Sequence, residues 1–352
     1  MAIEAKHDER IPVVLLTGFL GSGKTSLLNH WLKEPALADA AVIVNELGEI
    51  GIDHQLIASS NENTIELSTG CLCCMVTGDL VDTLRELFVR RQRGDCRRFG
   101  KVIIETTGLA EPGPVIQVLM TQPVVAKYRL SNVVTTLDAV KSDDTLNTYP
   151  EAVKQLALAD RVVITKLDLL PAEQQNTPLA RCRAVNPGAP VFLSSNSQMP
   201  AAESVLNGID YSSRISSDQI SSWLNWRPLD EGKPVHHAIA SFQQDKHSHG
   251  INNFYLTIDE PFHWEHLSAW LDALTLAHGK QLLRVKGICW IKNQDKPIVI
   301  HVVQGLFHPP TVINDKVDQE RISRIVFITQ GLSKKYIDDV LAVIRAKKIS
   351  AA

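Results

Sequence analysis

The stretch GFLGSGKT, residues 18–25, decides the fold, because it fits the phosphate-binding pattern G-x-x-x-x-G-K-[ST] at every position. An apolar run suited to a buried strand, IPVVLLT, precedes it, and the helix-compatible segment KTSLLNHWLK follows it. Glycines let the backbone curl so that its N–H groups converge on phosphate oxygens at the start of the helix. The stretch therefore predicts a phosphate-binding loop between a strand and a helix.

The side chains of this loop have separate predicted roles. Lys24 would place a positive charge beside the β- and γ-phosphates of a nucleotide, and the Thr25 hydroxyl would bind Mg²⁺. A chance glycine turn is the alternative, and the flanking strand and helix count against it. The residues predicted to bind nucleotide in this loop are Gly18, Gly21, Ser22, Gly23, Lys24, Thr25 and Ser26.

The segment KVIIETTG, residues 101–108, predicts a strand that ends at a second Mg²⁺ ligand. Glu105 stands at the strand end, where aspartate is more usual, and its longer side chain would reach the metal directly or through a water. Gly108 follows three residues later, where a backbone amide that senses the γ-phosphate is expected. The alternative for Glu105 is a buried structural glutamate.

The segment RVVITKLD, residues 161–168, predicts which base is bound. Lys166 and Asp168 fit an [NT]-K-x-D arrangement at the end of a strand, with Thr165 where asparagine is commoner. The Asp168 carboxylate would accept hydrogen bonds from guanine N1–H and the 2-amino group, and the Lys166 stem would lie along the base. Adenine lacks both donors in that geometry, so GTP is the predicted nucleotide. An exposed polar turn is the alternative.

Three of the six cysteines are clustered in STGCLCCMVTGD, residues 68–79. Cys71, Cys73 and Cys74 directly follow the predicted strand TIELS, and ligands collect at the carboxyl ends of strands in a doubly wound sheet. Thiolates are soft donors that suit Zn²⁺, Cu(I) or Co²⁺ better than Mg²⁺. A closed structural zinc site has four protein ligands. Three thiols therefore predict a site that takes up and releases metal, with Glu49, a water or a target protein as fourth ligand; buried cysteines acting as small hydrophobes are the alternative.

The order of apolar runs and helical patterns predicts two domains. Up to residue 200 they alternate, which indicates an α/β P-loop NTPase fold with a doubly wound, mainly parallel sheet. Residues 201–234, rich in Ser, Asn, Asp and Pro, predict a linker with a short helix near Trp223. Several successive strands with interspersed helices then predict a smaller α+β domain over residues 235–352, whose sheet should be largely antiparallel.

Composition and charge exclude some function classes. A formal net charge of −3 over 352 residues argues against a dedicated nucleic-acid binder. No run approaches the roughly 18–20 apolar residues of a membrane span, and the first residues lack the apolar region of a signal peptide. We therefore expect a cytoplasmic protein with reduced thiols and no membrane partner. His247 and His249, in a polar loop, would form an auxiliary metal-collecting site or be ordinary surface residues.

Together these motifs resemble the CobW-like P-loop GTPases of metal homeostasis, relatives of the hydrogenase and urease nickel-insertion GTPases. The resemblance spans nearly the whole chain. Its segments are LLTGFLGSGKTSLLNH, VNELGEIGID, GCLCC, ETTGLAEPGPV, QLALADRVVITKLDLL, LLRVKGICWI, VVQGLF and RIVFITQGL. It implies a slow GTPase that binds Zn²⁺ or Co²⁺ at the thiols and couples GTP state to metal delivery. Some relatives carry an additional acid where this chain has Val44, so Glu49 is the expected carboxylate ligand.

The sequence therefore predicts a GTP-hydrolysing metallochaperone with a client metalloprotein as partner. Lys24, Thr25 and Glu105 are the expected catalytic residues, and no arginine finger is identifiable, so turnover should be slow unless a partner or a homo-oligomer supplies one. One alternative is a metal sensor or buffer in which GTP is mainly structural; another is a kinase or ATPase without metal cargo. The expected metal ligands are Cys71, Cys73, Cys74 and Glu49 for the transition metal, and Thr25 and Glu105 for Mg²⁺.

Overall fold

The protein divides into two compact units. In this computed structural model they comprise Met1–Cys182 with Ala189–Asp210, and Arg183–Gly188 with Tyr211–Ala352. No helix in the part of the chain that the structure describes is long and apolar enough to cross a membrane. The described residues are 8–46, 64–68, 75–206, 249–313 and 321–346.

The first unit is built on one seven-stranded sheet in which every pairing is parallel. The strand order is β3-β2-β4-β1-β5-β6-β7, so the strand before the phosphate-binding loop is central. The prediction of a doubly wound, mainly parallel sheet is confirmed. The strands are β1 (Ile11–Gly18), β2 (Ala40–Glu46), β3 (Thr64–Ser68), β4 (Lys101–Glu105), β5 (Tyr128–Asp138), β6 (Arg161–Thr165) and β7 (Val191–Leu193).

Seven helices are described in or beside this unit. The first follows the phosphate-binding loop directly, as the sequence predicted. The helices are α1 (Lys24–Trp31), α2 (Met75–Arg93), α3 (Pro112–Met120), α4 (Ser142–Thr148), α5 (Pro150–Leu158), α6 (Asn176–Val185) and α7 (Ala202–Leu206).

The apolar run of β1 is buried on both faces of the sheet. Side chains alternate along a strand, so Val14 and Leu16 share one face, where Leu27, Leu28 and Trp31 of α1 pack against them. Each such buried aliphatic side chain contributes about 1.5–3 kcal/mol of transfer free energy. This packing fixes where β1 ends and α1 begins, and so fixes the loop between them.

Because the strands are parallel, their carboxyl ends all lie at one edge of the sheet, which we call the carboxyl edge. Five of the strands end there in, or directly before, residues of the candidate site or the cysteine motif. Their last residues are Gly18 (β1), Ser68 (β3), Glu105 (β4), Asp138 (β5) and Thr165 (β6).

The beginning of the expected linker, at residue 201, is instead packed onto the first unit. Ala202 and Val205 are fully buried in the core that contains Trp31. Trp31 Nε1 donates to the carbonyl of Pro200 at 2.9 Å, and the Ala202 amide donates to Glu34 Oε2 at 2.9 Å. The polar composition of this stretch gave no sign of the short helix α7, so the linker prediction was wrong for residues 201–206. The expected helix near Trp223 lies outside the described residues.

Among its described residues the second unit has a six-stranded antiparallel sheet, which confirms the prediction of a largely antiparallel one. Its path is β11-β10-β9-β13-β8, and β12 pairs with β10. The strands are β8 (Ile251–Ile258), β9 (Leu282–Cys289), β10 (Ile298–Val303), β11 (Leu306–Phe307), β12 (Thr311–Val312) and β13 (Ser323–Gln330).

Two helices, α8 (Trp264–His278) and α9 (Lys334–Ala346), pack with one face of this sheet. Trp270 is fully buried between them and the strands, and its Nε1 donates to the Ile337 carbonyl at 3.2 Å. Phe327 of β13 packs edge-on against the Trp270 ring. Trp270, Phe327 and the apolar side chains around them therefore form the core that joins the two helices to this sheet.

The opposite face of β9 and β10 buries a group of basic side chains. Arg284 and Lys286 alternate with Val285, which belongs to the helix-covered core, so they lie on the other face. His301 is the cross-strand partner of Lys286. The Arg284 guanidinium donates to His301 Nε2 at 3.0 Å, so that ring nitrogen carries no proton. Burial, followed by the nearby charges of His308, Arg284 and Lys286, holds the pKa of His301 well below its usual range.

This environment predicts acid sensitivity of the second unit. The folded pKa of His301 is depressed, so below about pH 6.5 the unfolded chain takes up a proton that the folded chain refuses. Above that pH, the contribution of His301 to the free energy of unfolding does not change with pH. Below it, the free energy of unfolding falls by roughly 1.4 kcal/mol per pH unit until His301 takes up a proton in the folded state as well. His301→Gln keeps an acceptor for Arg284 without a titrating ring, and should reduce the stability loss between pH 7.5 and 5.5. Urea unfolding read by hydrogen exchange of β9 and β10 would measure it; equal pH dependence in both proteins would contradict the assignment.

Candidate nucleotide-binding site

The phosphate-binding loop depends on glycine at three positions. Gly18, Gly21 and Gly23 have φ values of 142°, 71° and 89°, which other residues adopt only with strain. A Cβ on Gly18 would also lie 2.6 Å from the Thr136 carbonyl oxygen and 2.8 Å from Ser22 Oγ. The glycines are therefore what allow the backbone to curl over the end of β1.

Neighbouring strands hold this loop from beneath. The hydroxyls of Ser22 and Thr136 are 2.6 Å apart in a buried hydrogen bond. Thr165 Oγ1 donates to the Ser22 carbonyl at 2.7 Å, and Lys166 Nζ donates to the Gly21 carbonyl at 2.8 Å. Ends of β5 and β6 thus fix the shape of the loop before any ligand binds, which lowers the ordering cost of binding.

Lys24 lies inside the loop that it belongs to. Its side chain is 8% exposed, and Nζ donates to the carbonyls of Gly18 at 2.9 Å and Phe19 at 3.3 Å. These bonds hold the ammonium group within the curl of the loop at the N-terminus of α1. A positive charge and a helix N-terminus in one place favour a phosphate group there.

Thr25 and Glu105 join the start of α1 to the end of β4. Thr25 Oγ1 donates to Glu105 Oε1 at 2.6 Å, and Glu105 is 4% exposed. A hydroxyl and a carboxylate are hard oxygen donors of the kind that Mg²⁺ prefers. The pair lies directly beside the phosphate-binding loop, so these two residues fit a Mg²⁺ ion held against nucleotide phosphates. Glu105, which stands where aspartate is more usual, reaches the Thr25 hydroxyl by a direct hydrogen bond.

Gly108 packs directly on the phosphate-binding loop. A Cβ at this position would lie 2.6 Å from the amide nitrogen and 2.7 Å from the Cα of Leu20. The loop after β4 is tied to β1 as well, because the Thr106 amide donates to the Leu16 carbonyl at 3.0 Å. Only glycine allows this close approach of two backbones, which brings residues 106–108 beside residues 18–25.

Lys166 and Asp168 lie in the turn after β6. Lys166 has a left-handed backbone with φ 58°, and its Nζ forms an ion pair with Asp138 Oδ2 at 2.7 Å. Asp168 Oδ1 accepts a hydrogen bond from the Asn196 amide at 3.3 Å. The turn after β7 therefore stands beside the residues predicted to read the base.

Sequence reasoning missed Asp138 and Asn196. Asp138 ends β5; its Oδ1 accepts from the amides of Val140 at 2.9 Å and Lys141 at 3.3 Å, while Oδ2 orients Lys166. The signal that pointed to Glu105, an acid at the carboxyl end of an apolar run, is also present in NVVTTLD and was sufficient to find Asp138. Asn196 gave no such signal, since its backbone makes the contact.

The cysteine motif and Glu49 lie outside the described residues, as does His247. The described chain leaves the sheet at Ser68, the end of β3, and resumes at Met75, the start of α2. Among described residues no group of three His, Cys, Asp or Glu side chains could hold a metal ion. Of the other cysteines, Cys182 and Cys289 are buried and Cys96 is partly exposed.

Two family models and several relatives match this chain. The nucleotide-binding domain of the CobW/HypB/UreG family matches residues 12–193, and the cobalamin synthesis protein CobW C-terminal domain matches residues 251–345. The zinc chaperone YjiA of Escherichia coli is 34% identical over 300 residues, covering 84% of this chain and 87% of the relative. The zinc chaperone CobW of Pseudomonas aeruginosa is 30% identical, covering 94% of this chain and 91% of the relative.

A solved structure is similar over both units. The crystal structure of the zinc-bound YjiA GTPase from E. coli has a TM-score of 0.66 and 29% sequence identity, covering 96% of this chain and 99% of that one. The two folds agree over nearly the full length of both chains. The chain therefore belongs to the CobW/HypB/UreG family of nucleotide-binding proteins, with a CobW C-terminal domain.

Proposed function

We propose that this chain is a GTP-hydrolysing metallochaperone that takes up zinc at Cys71, Cys73 and Cys74 and passes it to a client metalloprotein. The observation that carries the proposal is the shared carboxyl edge: β3, which leads into the cysteine motif, is parallel to β4 and β1, which end in the magnesium and phosphate residues. The E. coli relative is named a zinc chaperone, and its zinc-bound structure is described as that of a GTPase.

The triphosphate would bind to the phosphate-binding loop, residues 18–25. Lys24 neutralises the β- and γ-phosphates, and the loop amides and the N-terminus of α1 supply further positive potential. Thr25 and Glu105 would hold Mg²⁺, with Glu49 left to the transition metal; the magnesium ion supplies charge neutralisation on the phosphate oxygens. Hydrolysis by in-line attack of water needs positioning and charge stabilisation more than proton chemistry.

Guanine would bind between the turns after β6 and β7. The Asp168 carboxylate accepts from the N1–H and 2-amino groups, and Asp138 and the Gly21 carbonyl hold Lys166 in place so that its stem covers the base. An adenine in the same position would present no matching donors, and would leave the carboxylate desolvated without a partner.

Zinc is the proposed cargo because three thiolates suit this soft ion and because both relatives named above are zinc chaperones. The register of the sheet supports coupling to the nucleotide: Val44 is paired with both Glu105 on β4 and Glu66 on β3, two residues before Ser68. Two strand spacings amount to about 10 Å. The loop after Glu105, which would bind the γ-phosphate, and the segment after Ser68 therefore begin at neighbouring positions on the carboxyl edge. Ordering of the loop around the γ-phosphate would then change the arrangement of the cysteine ligands.

Asp168→Asn tests the base specificity. The asparagine amide can donate a hydrogen bond at the position where the carboxylate accepts one. The variant should therefore lose affinity for guanine nucleotides and gain affinity for xanthine nucleotides, because the C2 carbonyl of xanthine replaces the 2-amino group of guanine. The amide NH2 would face the 2-amino group of guanine, donor against donor, and the remaining hydrogen bond from N1–H would lose its charged acceptor, so GTP affinity should fall by at least about 100-fold. Titration with fluorescent GTP and XTP analogues would measure both affinities. If the variant loses affinity for GTP and XTP equally, or keeps the GTP affinity of the wild type, the result would count against the guanine site.

Zinc titrations in the presence of a non-hydrolysable GTP analogue and of GDP test the coupling. We expect the two zinc affinities to differ by roughly 10-fold, the size of an ordinary coupling free energy between two sites. Replacing Cys71, Cys73 and Cys74 together by serine should abolish this zinc binding and leave GTP affinity unchanged. Cys96→Ser is the matched control, because Cys96 is a partly exposed cysteine elsewhere in the first unit.

The same titration separates the metallochaperone from a metal buffer. A protein in which GTP only stabilises the fold would bind zinc at the thiols with one affinity in both nucleotide states. That result would remove nucleotide-driven delivery from the proposal and leave the zinc site in place.

A further inference from the structure

Gln155 is a buried polar side chain on α5 whose hydrogen bonds reach the loop after β4. Its side chain is 1% exposed. Nε2 donates to the carbonyl of Gly108 at 3.1 Å and to the carbonyl of Ala110 at 3.0 Å. Both hydrogens of the side-chain NH2 group therefore bond to the loop after β4. These bonds also define the orientation of the carboxamide, because a flipped group would place Oε1 against two carbonyl oxygens.

The rest of α5 offers little reason for a glutamine at this position. The neighbouring residues Val153, Leu156 and Ala157 are buried and apolar, as expected for a helix packed on a sheet. Burying an amide costs free energy unless it is hydrogen-bonded. The two bonds to the Gly108–Ala110 segment offset the cost of burying the NH2 group, while Oε1 is buried without a hydrogen-bond partner among the described residues, so the contact constrains the segment as much as the helix.

The loop after β4, residues 106–111, is held from three directions. At its start the Thr106 amide bonds to β1, in its middle Gly108 lies against the Leu20 backbone, and at its end Glu111 pairs with Lys154 at 2.7 Å. Gln155 adds the bonds to the middle of the loop. The helix itself is fastened to the sheet, because Thr135 Oγ1 of β5 donates to the Gln155 carbonyl at 2.9 Å.

We propose that Gln155 is a positioning residue for GTP hydrolysis, which fixes the Gly108–Ala110 segment so that the Gly108 amide meets the γ-phosphate. This inference rests on the proposed function. Holding the carbonyl of Gly108 limits rotation about its ψ bond, and glycine is the residue with the most rotation to lose. Without the two bonds, the amide would have to be ordered by the phosphate itself, at an entropic cost in each binding event.

The inference requires an effect that depends on the third phosphate. GDP lacks the γ-phosphate and binds to residues 18–25 without using the Gly108 amide. Loss of the Gln155 bonds should therefore weaken GTP and slow its hydrolysis while sparing GDP. A merely structural glutamine would affect both nucleotides alike, because the phosphate-binding loop and α5 would shift together.

Gln155→Met tests this difference. Methionine keeps the length and approximate volume of glutamine but has no hydrogen to donate. We expect roughly 10-fold weaker binding of a non-hydrolysable GTP analogue, a comparable fall in kcat, and GDP affinity within about twofold of wild type. Gln117→Met is the matched control, because Gln117 is exposed on α3 and should leave all three quantities unchanged.

Gln155→Glu supplies a second readout. An ionised carboxylate cannot donate and would face two carbonyl oxygens, whereas a protonated carboxyl can donate to one of them. The ratio of GTP-analogue affinity to GDP affinity should therefore fall at pH 8 and recover in part towards pH 5.5, relative to wild type measured in parallel. Lack of recovery would argue against the hydrogen-bond explanation.

Several results would overturn the inference. If Gln155→Met weakens GDP as much as the GTP analogue, or fails to bind either, Gln155 serves the core of the first unit and not the γ-phosphate. If neither affinity nor kcat changes, the two bonds do not matter for the reaction. Failure of the proposed function is distinguishable, since the wild-type chain would then bind no GTP in the presence of Mg²⁺.

Discussion

The hydrogen bond between Thr25 and Glu105 is the contact on which the proposed chemistry of the first unit depends. It joins the first turn of α1 to the last residue of β4 across 2.6 Å, and both groups are of the type that Mg²⁺ binds. The bond is short because β1 and β4 are adjacent parallel strands, in register from Val13 to Leu16. Any shift of that register would separate the phosphate-binding loop from Glu105, the proposed Mg²⁺ ligand, so the apolar packing of β1 sets the geometry of the site.

Local sequence was sufficient to predict a site residue where only one physical role suits that residue type at that position. The glycines at positive φ, the lysine in the loop and the acid at the end of β4 follow directly from motif and strand position. Contacts between distant elements left no such trace: the two bonds from Gln155 to the loop after β4 span more than 40 residues of chain. The polar stretch from residue 201 misled for a similar reason, because burial of Ala202 and Val205 depends on Trp31.

The two units differ in how they use buried polar groups. In the first, Thr165 and Lys166 donate to the backbone carbonyls of Ser22 and Gly21, and the Ser22 hydroxyl bonds to the Thr136 hydroxyl, which together shape the phosphate-binding loop. In the second, Arg284 donates to His301 within the sheet, and the lowered pKa of this buried imidazole is the reason that acid is expected to destabilise the unit.

The central claim is that zinc and the triphosphate share the carboxyl edge of one parallel sheet. Anomalous diffraction at the zinc edge tests it most directly, on crystals grown with a non-hydrolysable GTP analogue, Mg²⁺ and Zn²⁺. The account predicts a zinc peak on the sulfur atoms of Cys71, Cys73 and Cys74, at the same edge as the analogue bound to residues 18–25. Zinc found only on other side chains, such as histidines of the second unit, with the three thiols metal-free, would contradict it.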